Sequence, residues 1–326
     1  DAVFTEEIID RKVANVRRTF NEALGIVEYR WDNRPVALFQ TDGRERGRVV
    51  LQIASNSAQT ALAAAQVLAG DITGLDLNSG CPKKHAMHAG MGAGLLSKPE
   101  VSEDIIKTLR RNLPEHIPVS VKVRLQPTDA ATVEHCRRLE AAGADAVTVH
   151  GRTPSDTTLQ PARWEPLRLV KDALRVPVIA NGDVFTWEDV GRVRQETGCD
   201  AVMIARGALR NPSVFRGEQG TLPLRGVMQD FLRISLTTGI AYQPVKYVIM
   251  ESMMPHRYER EVNRALKVTF PEGPTFEEVS RSKSVADLCR LFDTPVEPLG
   301  AAAMDAAQPA HAFDDAYFSR RDAAAS

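Results

Sequence analysis

The stretch GLDLNSGCPKKHAMHAGMGAGLLSKPE, residues 74–100, decides the fold and raises the question of function. An apolar run ends at Asn78, and a cysteine follows between Gly80 and Pro82. Two lysines, two histidines and several small residues separate this cysteine from a helix-like pattern that begins near Ser97. A buried strand that ends in polar and glycine-rich residues before a helix is one βα unit.

The same pattern recurs at intervals of roughly 25 to 35 residues, which is the length of one βαβ step. Segments with helical composition, such as SAQTALAAAQVLAG and TVEHCRRLEAAGA, separate short apolar or β-branched runs. Several runs are apolar almost throughout, as expected of parallel strands that are buried on both faces. The alternation predicts an α/β fold with strands in residues 2–8, 49–55, 74–80, 119–125, 146–152, 177–183 and 201–207.

A TIM (β/α)8-type barrel fits this pattern better than a doubly wound nucleotide-binding sheet. The latter would need a G-x-G-x-x-G motif after its first strand, whereas GMGAGLL, residues 90–96, lacks that spacing and follows the third run. Polar residues at the carboxyl end of nearly every run also favour the barrel. Seven runs are present where eight are expected, and since the chain opens directly on a strand, we expect the missing first βα unit to precede residue 1.

Three segments are predicted along the chain. Residues 1–221 contain the barrel pattern, and residues 222–297 contain helical patterns only, which predicts a small all-α helical domain. Residues 298–326 are rich in alanine and predict a disordered tail.

Composition excludes some classes of protein. The chain has 326 residues, with 41 Lys and Arg against 42 Asp and Glu, so any contact with nucleic acid must come from a local patch. No apolar run reaches the ~18 residues that suggest a membrane span. Four cysteines without a CxxC spacing predict neither a disulfide framework nor a zinc site. We expect a cytoplasmic protein, with a nuclear location as the alternative.

Polar side chains at the strand ends are expected to meet at the mouth of the barrel. They are Gln52, Asn78, Cys81, Lys122, Arg124, His150, Arg152, Asn181, Asp183 and Arg206. A lysine within a strand, such as Lys122, is costly to bury unless it meets an anion or an electron-rich acceptor. The alternative is that Lys122 and Arg124 extend to solvent. His150 on its own would be a core histidine, but it ends a strand and Arg152 follows it.

Two glycine-containing loops follow the last two predicted strands. ANGD, residues 180–183, and ARGA, residues 205–208, occupy the positions where TIM barrels commonly bind phosphate. Either glycine alone could serve only to turn a loop. Both together favour a phosphate site.

Cys81 is the strongest candidate for a catalytic residue. Its neighbours Gly80 and Pro82 predict an unusual backbone that displays the thiol. An unperturbed thiol has a pKa of about 8.5, so at neutral pH it carries a proton that it can donate. Cys136, Cys199 and Cys289 fit buried small hydrophobic positions instead. A metal site of Cys81, His85 and His88 would lack a fourth ligand, and we predict no metal.

A basic stripe lies in the helical segment. Arg257, Arg260, Arg264 and Lys267 share one helical face. Such a stripe is usually a solvated surface. Together with Lys83, Lys84, His85 and His88 after Cys81, it could instead follow the phosphate backbone of a nucleic acid.

Five motifs resemble those of the tRNA-dihydrouridine synthases. In order they are DLNSGCPKKHAMHAGMGAGLLSKPE, VSVKVRL, VHGRT, PVIANGDV and VMIARGALRNPSVF. FTEEIID, the pair Lys246–Tyr247 and ADLCRLFD are most similar to the eukaryotic type-2 branch, which acts on the uridine at position 20 of the D-loop. The resemblance runs from residue 1 to about residue 293 and implies an FMN-binding barrel followed by a helical RNA-binding domain.

The resemblance also implies roles for individual residues. Cys81 corresponds to the catalytic cysteine of the family. Flavin contacts fall on Gln52, Lys122, His150, Asn181, Gly182, Asp183, Ala205 and Arg206. Contacts to the partner tRNA are expected from Asn78, Lys83, Lys84, His85, Arg152, Arg257, Arg260, Arg264 and Lys267.

The implied reaction is a stepwise reduction of a uridine. NADPH or NADH reduces FMN, the reduced flavin gives a hydride to C6 of a flipped-out uridine, and Cys81 protonates C5. The first strand of the family and its APM-type loop, which contacts the flavin, have no counterpart in this sequence. We therefore expect weak FMN binding by the chain as written.

Two other functions are compatible with parts of the sequence. One is a flavin-dependent reductase of free pyrimidines, similar to dihydroorotate dehydrogenases. The helical segment argues against it, because a small substrate needs no such surface. The other is an RNA-binding protein that has lost its flavin and its catalytic activity.

Overall fold

The computed structural model describes residues 2–34, 36–253 and 273–295. The predicted basic stripe (Arg257, Arg260, Arg264 and Lys267) and the predicted tail lie outside the described residues. Two backbone patterns dominate: one parallel sheet surrounded by helices, and a run of helices from residue 224 onward.

The strands are β1 (Val3–Phe4), β2 (Ile8–Ile9), β3 (Arg17–Asn21), β4 (Ile26–Arg30), β5 (Phe39–Asp42), β6 (Val49–Ala54), β7 (Gly74–Ser79), β8 (Val119–Arg124), β9 (Ala146–His150), β10 (Val178–Asn181) and β11 (Ala201–Met203). The helices are α1 (Asp10–Val13), α2 (Ala58–Leu68), α3 (Lys84–His88), α4 (Pro99–Asn112), α5 (Asp129–Ala141), α6 (Glu165–Ala173), α7 (Trp187–Thr197), α8 (Arg206–Arg210), α9 (Leu224–Thr238), α10 (Tyr242–Met253), α11 (Phe276–Arg281) and α12 (Val285–Leu291).

The large sheet is parallel throughout. Its order is β1, β6, β7, β8, β9, β10 and β11, and β2 also pairs with β6. A strand is therefore present in each of the seven predicted runs, the first of which contains β1 and the first residue of β2. Among the described residues no pairing joins β1 to β11, so the sheet forms part of a TIM-type barrel. The structure confirms the predicted fold class.

Buried aliphatic side chains hold the sheet to its helices. Leu77 pairs with Val121 and Val121 with Val147, and all three are fully buried. On the outside, α4 begins with Pro99, whose fixed φ suits the first helical position. This helix buries Ile105 against the same core. The carboxyl ends of the strands are thereby fixed side by side, which is what places the polar residues of the mouth together.

A three-stranded antiparallel sheet of β3, β4 and β5 was not expected from the sequence. It stands between the first two predicted strands. Tyr29 of β4 is fully buried, and its hydroxyl donates to Asp71 Oδ2 over 2.5 Å. Arg18 of β3 donates to both oxygens of Asp71 over 2.7 and 3.0 Å. These contacts anchor the small sheet to Asp71, which follows α2 in the chain, and the small sheet adds no βα unit.

The helices α9 to α12 share a hydrophobic core of their own. Leu232, Ile249 and Leu288 are fully buried in it, separately from the core of the barrel. Ser252 of α10 donates to the carbonyl oxygen of Leu209 in α8 over 2.7 Å, which joins the helices to the barrel.

Candidate active site

The loop after β7 holds Cys81 at the mouth through the amide of Asn78. Asn78 Oδ1 accepts from the backbone N–H groups of Gly80 and Cys81 over 3.0 and 2.9 Å. Its Nδ2 donates to Gln52 Oε1 over 2.9 Å and to Glu7 Oε2 over 2.6 Å. Both donors and both lone pairs of this side chain are therefore engaged within the protein. Asn78 acts here as a clamp for the loop, and its contact with RNA stays a prediction.

The backbone around Cys81 leaves no space for a side chain opposite it. Gly92 has a φ of 56°, and a Cβ at this position would lie 2.7 Å from the carbonyl oxygen of Cys81. The same carbonyl oxygen accepts from Ala93 N over 2.9 Å. Arg124 Nε donates to the carbonyl oxygen of Gly80 over 2.7 Å. The group of small residues in the opening stretch of sequence is thus explained by close packing behind the cysteine.

Cys81 is half-buried, whereas Cys136, Cys199 and Cys289 are buried. Burial raises the pKa of the Cys81 thiol above its ordinary value. The thiol therefore carries its proton at neutral pH while remaining accessible from the mouth. Burial raises the pKa of Cys136 to about 12 and that of Cys289 to about 11, which leaves both thiols inert.

Below the mouth, a buried carboxylate organises the strand ends. Asp76 is fully buried and accepts from Gln52 Nε2 over 2.8 Å and from Ser120 Oγ over 2.6 Å. Burial raises its pKa to about 6, although both hydrogen bonds and the charge of Lys122 act to lower it. Because Gln52 donates to Asp76, its carbonyl oxygen is left to accept from Asn78. Asp76 was not among the predicted site residues, although a charged residue in an otherwise apolar strand was a signal for it.

Lys122 and His150 lie at the ends of β8 and β9. Burial, aided by the positive charge of Arg124, lowers the pKa of Lys122 to about 8. The negative charge of Asp76 acts in the opposite direction on this pKa. Burial lowers the pKa of His150 well below its usual range, and the nearby cations, including Lys122 and Arg124, act in the same direction. The imidazole of His150 is therefore neutral.

A cluster of ion pairs closes the end of β10. Asp183 accepts from Arg152 Nη2 over 2.8 and 2.7 Å, from Arg206 Nη2 over 2.5 Å and from Ala162 N over 2.7 Å. The side chain of Arg152 is only 3% exposed. Arg152 thus lies in the interior as a partner of Asp183, not at the surface where an RNA contact was predicted.

The loop that carries Asp183 turns through two residues with positive φ. Gly182 has a φ of 125°, and a Cβ there would lie 2.7 Å from Ala162 Cβ and 3.1 Å from His150 Cδ2. Asp183 follows with a φ of 54°. Asn181 Nδ2 donates to the carbonyl oxygen of Met203, which ties this loop to β11 over 3.0 Å. The predicted ANGD and ARGA loops are therefore neighbours.

The remaining predicted site residues are placed as follows. Ala205 is exposed directly before α8, beside Arg206. Lys83, Lys84 and His85 are exposed at the start of α3, next to Cys81. The structure thus brings the predicted catalytic and flavin residues to one end of the sheet, with a basic rim beside the cysteine. Glu7 was also not predicted as a site residue. It lies at the same end of the sheet, where its carboxylate accepts a hydrogen bond from Asn78.

Neither a metal cluster nor a membrane-spanning helix is found in the described residues. No three His, Cys, Asp or Glu side chains there converge as a group that could hold a metal ion. Within the same ranges, no helix combines the length and apolar character needed to cross a membrane.

Comparison with known proteins gives a consistent picture. The family model described as dihydrouridine synthase (Dus) matches residues 5–268. A human protein named tRNA-dihydrouridine(20a/20b) synthase (NAD(P)+)-like is 36% identical over 224 residues, which cover 68% of this chain and 70% of that protein. The tRNA-dihydrouridine(20) synthase (NAD(P)+) of Schizosaccharomyces pombe is 34% identical over 259 residues, covering 77% of this chain and 54% of that protein.

A bacterial relative matches half of the chain. The tRNA-dihydrouridine(16) synthase of Neisseria meningitidis serogroup B is 40% identical over 164 residues, which cover 50% of this chain and 48% of that protein. The relatives are named for different uridine positions, and position 20 is among them, as the sequence motifs predict. With a family match over most of its length and relatives at this level of identity, the chain belongs to the dihydrouridine synthase family.

Proposed function

We propose that this chain reduces the uridine at position 20 of the tRNA D-loop to 5,6-dihydrouridine, with FMN and NADPH or NADH as cofactors. The observation that carries this proposal is the half-buried, proton-bearing thiol of Cys81, clamped by Asn78 at the carboxyl ends of the strands. The same end of the sheet carries Lys122, whose pKa is lowered by burial to about 8. A tRNA substrate implies action in the cytoplasm or the nucleus.

The donors at the mouth fit a flavin. Lys122 supplies a cation for the electron-rich edge of the ring system, and the neutral imidazole of His150 can donate a hydrogen bond to it. Gln52 is held in one orientation by Asp76 and Asn78. The Asn181–Gly182–Asp183 turn, together with Ala205 and Arg206, would hold the phosphate. When bound, the reduced flavin supplies the hydride that C6 of the uracil ring receives.

Cys81 completes the reduction as a general acid. The Sγ–H bond breaks, the proton forms a new bond to C5 of the uracil ring, and the thiolate that remains takes a proton from solvent before the next turnover. The raised pKa of the thiol suits this role, because the acid must retain its proton until the hydride arrives. The target base must leave its stack to reach this site.

RNA contacts surround the cysteine in this proposal. Lys83, Lys84 and His85 are exposed on the rim, where they can neutralise phosphates as the loop meets the RNA. Asn78 would contact the uridine only by exchanging one of its internal hydrogen bonds. Arg152 acts through Asp183 rather than by touching RNA. Further contacts to RNA are proposed for four residues that lie outside the described residues, Arg257, Arg260, Arg264 and Lys267.

The test is a reduction assay on defined substrates. The protein is incubated with added FMN, NADPH and an unmodified tRNA transcript, and dihydrouridine is detected by the mass gain of two hydrogens and mapped by nuclease digestion. We expect reduction at position 20 and none in a transcript that carries cytidine there. Reduction of free uridine or uracil without reduction of tRNA would contradict the proposal.

A further inference from the structure

Glu7 lies at the mouth because the first strand carries an extra residue. Phe4 pairs with Val50 and Ile8 pairs with Ile53. The three residues 5–7 therefore stand opposite only two residues of β6, which makes a β-bulge between β1 and β2. Such bulges re-aim a side chain and occur next to active sites. The proposed reaction assigns no role to the side chain of Glu7, which this bulge places at the mouth.

Hydrogen bonds join the bulge to β6 and join the carboxylate of Glu7 to Asn78 at the start of the cysteine loop. Thr5 Oγ1 accepts from Gln52 N over 3.0 Å, which fixes the start of the bulge. Glu7 Oε2 accepts from Asn78 Nδ2 over 2.6 Å, and the opposite end of the same amide accepts from Cys81 N over 2.9 Å. Glu7 is thus joined to the backbone of Cys81 through the side chain of Asn78. Its negative charge also acts to raise the pKa of the Cys81 thiol.

The charges that face Cys81 come from three elements. Lys83 lies on its own loop, Lys122 and Arg124 lie on the neighbouring strand β8, and Glu7 lies on the bulge. Three cations near a thiol favour loss of its proton, which is how reactive cysteines become thiolates. A general acid needs the opposite state. The Glu7 carboxylate opposes these cations because a negative charge and a hydrogen-bond acceptor both favour the neutral S–H group.

We propose that Glu7 is a positioning residue that supports the Asn78 clamp and keeps Cys81 in its proton-bearing form in a site rich in cations. This inference rests on the proposed role of Cys81 as the acid. Glu7 undergoes no net change in protonation, since the proton passes from Sγ to C5 and is replaced from solvent. Its effect is to extend the activity to higher pH than the cations alone would permit.

The test compares Glu7→Gln with the neighbouring Glu6→Gln. Both substitutions remove one negative charge and keep the shape of the side chain, but Glu6 is exposed on the other side of the bulge. The rate at which iodoacetamide alkylates Cys81 is measured across pH, with the peptide identified by mass. We expect the pH midpoint of Cys81 alkylation to be lower by about one pH unit in the Glu7→Gln protein than in wild type, as for the loss of a charge within a few ångströms. The Glu6→Gln protein should keep the wild-type midpoint.

A second measurement uses activity. The alkaline limb of the pH profile for tRNA reduction should move down with the alkylation midpoint in the Glu7→Gln protein, while the rate on the acidic side of that limb stays close to wild type. Equal alkylation midpoints in the two variants would overturn the proposal, as would an unmoved alkaline limb. The alkylation experiment requires neither flavin nor tRNA. A wild-type chain that failed to reduce tRNA would therefore count against the proposed function, and the alkylation midpoints would still decide whether Glu7 acts on the thiol.

Discussion

The ends of β7 and β10 each hold the following loop in one conformation, but they do so with different kinds of contact. At the end of β7, the neutral amides of Asn78 and Gln52 hold the loop that carries Cys81. At the end of β10, ion pairs of Asp183 with Arg152 and Arg206 hold the loop. The first end is a chain of single hydrogen bonds around a proton-bearing thiol. The second is a closed cluster of charges.

This difference indicates a division of labour across the mouth. Two guanidinium groups share one carboxylate at the end of β10, and the excess positive charge suits the binding of a phosphate group. At the end of β7, amides hold the cysteine loop, and the Glu7 carboxylate opposes the nearby cations, which would otherwise favour early loss of the proton. Substitutions that remove the contacts at one strand end or the other should therefore have different effects on stability and on activity.

The largest expected effect on stability is at the end of β10. Asp183→Ala leaves the guanidinium of Arg152 buried without its carboxylate, and the free energy of unfolding should fall by about 3–5 kcal/mol. Equilibrium unfolding in urea measures this loss. Glu277→Ala in α11 is the control, since it breaks a pair with Arg281 in which both side chains are mostly exposed. That control should cost at most about 1 kcal/mol, and similar losses in the two variants would contradict the account.

A smaller effect concerns the buried carboxylate below Cys81. The folded-state pKa of Asp76 is about 6, raised from 3.8. Its raised pKa means that the folded state holds this proton more tightly, so the associated stability is present at low pH and is lost as the pH rises through 6. Between about pH 4.5 and pH 7 this loss amounts to about 2 kcal/mol.

Asp76→Asn removes this titration. The difference in the free energy of unfolding between wild type and variant should therefore change by that amount across the same pH interval, with the variant relatively more favoured at the higher pH. A difference that is constant with pH would show that Asp76 keeps an ordinary pKa.

The smallest effect is at the packing behind Cys81. Gly92→Ala places a side chain at positive φ and against Cys81, at a cost of about 1–2 kcal/mol for the backbone alone. The loop should shift to relieve the contact, so tRNA reduction should fall while flavin content is retained. Gly191→Ala in α7 is the matched control, because a Cβ there meets nothing within 4 Å. It should stabilise the protein by up to about 1 kcal/mol, and a neutral Gly92→Ala would disprove the packing argument.

The parallel strands could be predicted because each is an apolar run with polar residues at one end. Leu77, Val121 and Val147 lie in such runs, and the residues that follow them form the mouth. The antiparallel sheet could not be predicted in this way. β3 is exposed along most of its length and contains Arg17 and Arg18, so it has no apolar run to detect. Its anchor at Asp71 is a contact across more than forty residues.

Site residues that directly follow apolar strands could be predicted from the sequence. Residues whose positions depend on strand register or on a distant partner could not. Cys81, Lys122 and His150 lie at strand ends that the sequence marks. Glu7 reaches the mouth only through a one-residue bulge, which depends on the pairing register with β6. The burial of Arg152 depends on the position of Asp183, which the sequence does not mark as its partner.

The central claim, that Cys81 is the acid, is tested most directly by a single-turnover experiment on Cys81→Ala. The flavin is added, reduced with NADPH and then mixed with unmodified tRNA without oxygen, while its absorbance is followed. Flavin reduction should be unchanged, and flavin reoxidation by tRNA should slow by about 10²–10⁴-fold, as for the loss of a general acid. Cys136→Ala should reoxidise at the wild-type rate. Reoxidation of Cys81→Ala by tRNA within about twofold of wild type would contradict the account, because that rate exceeds what a reaction without its acid can reach.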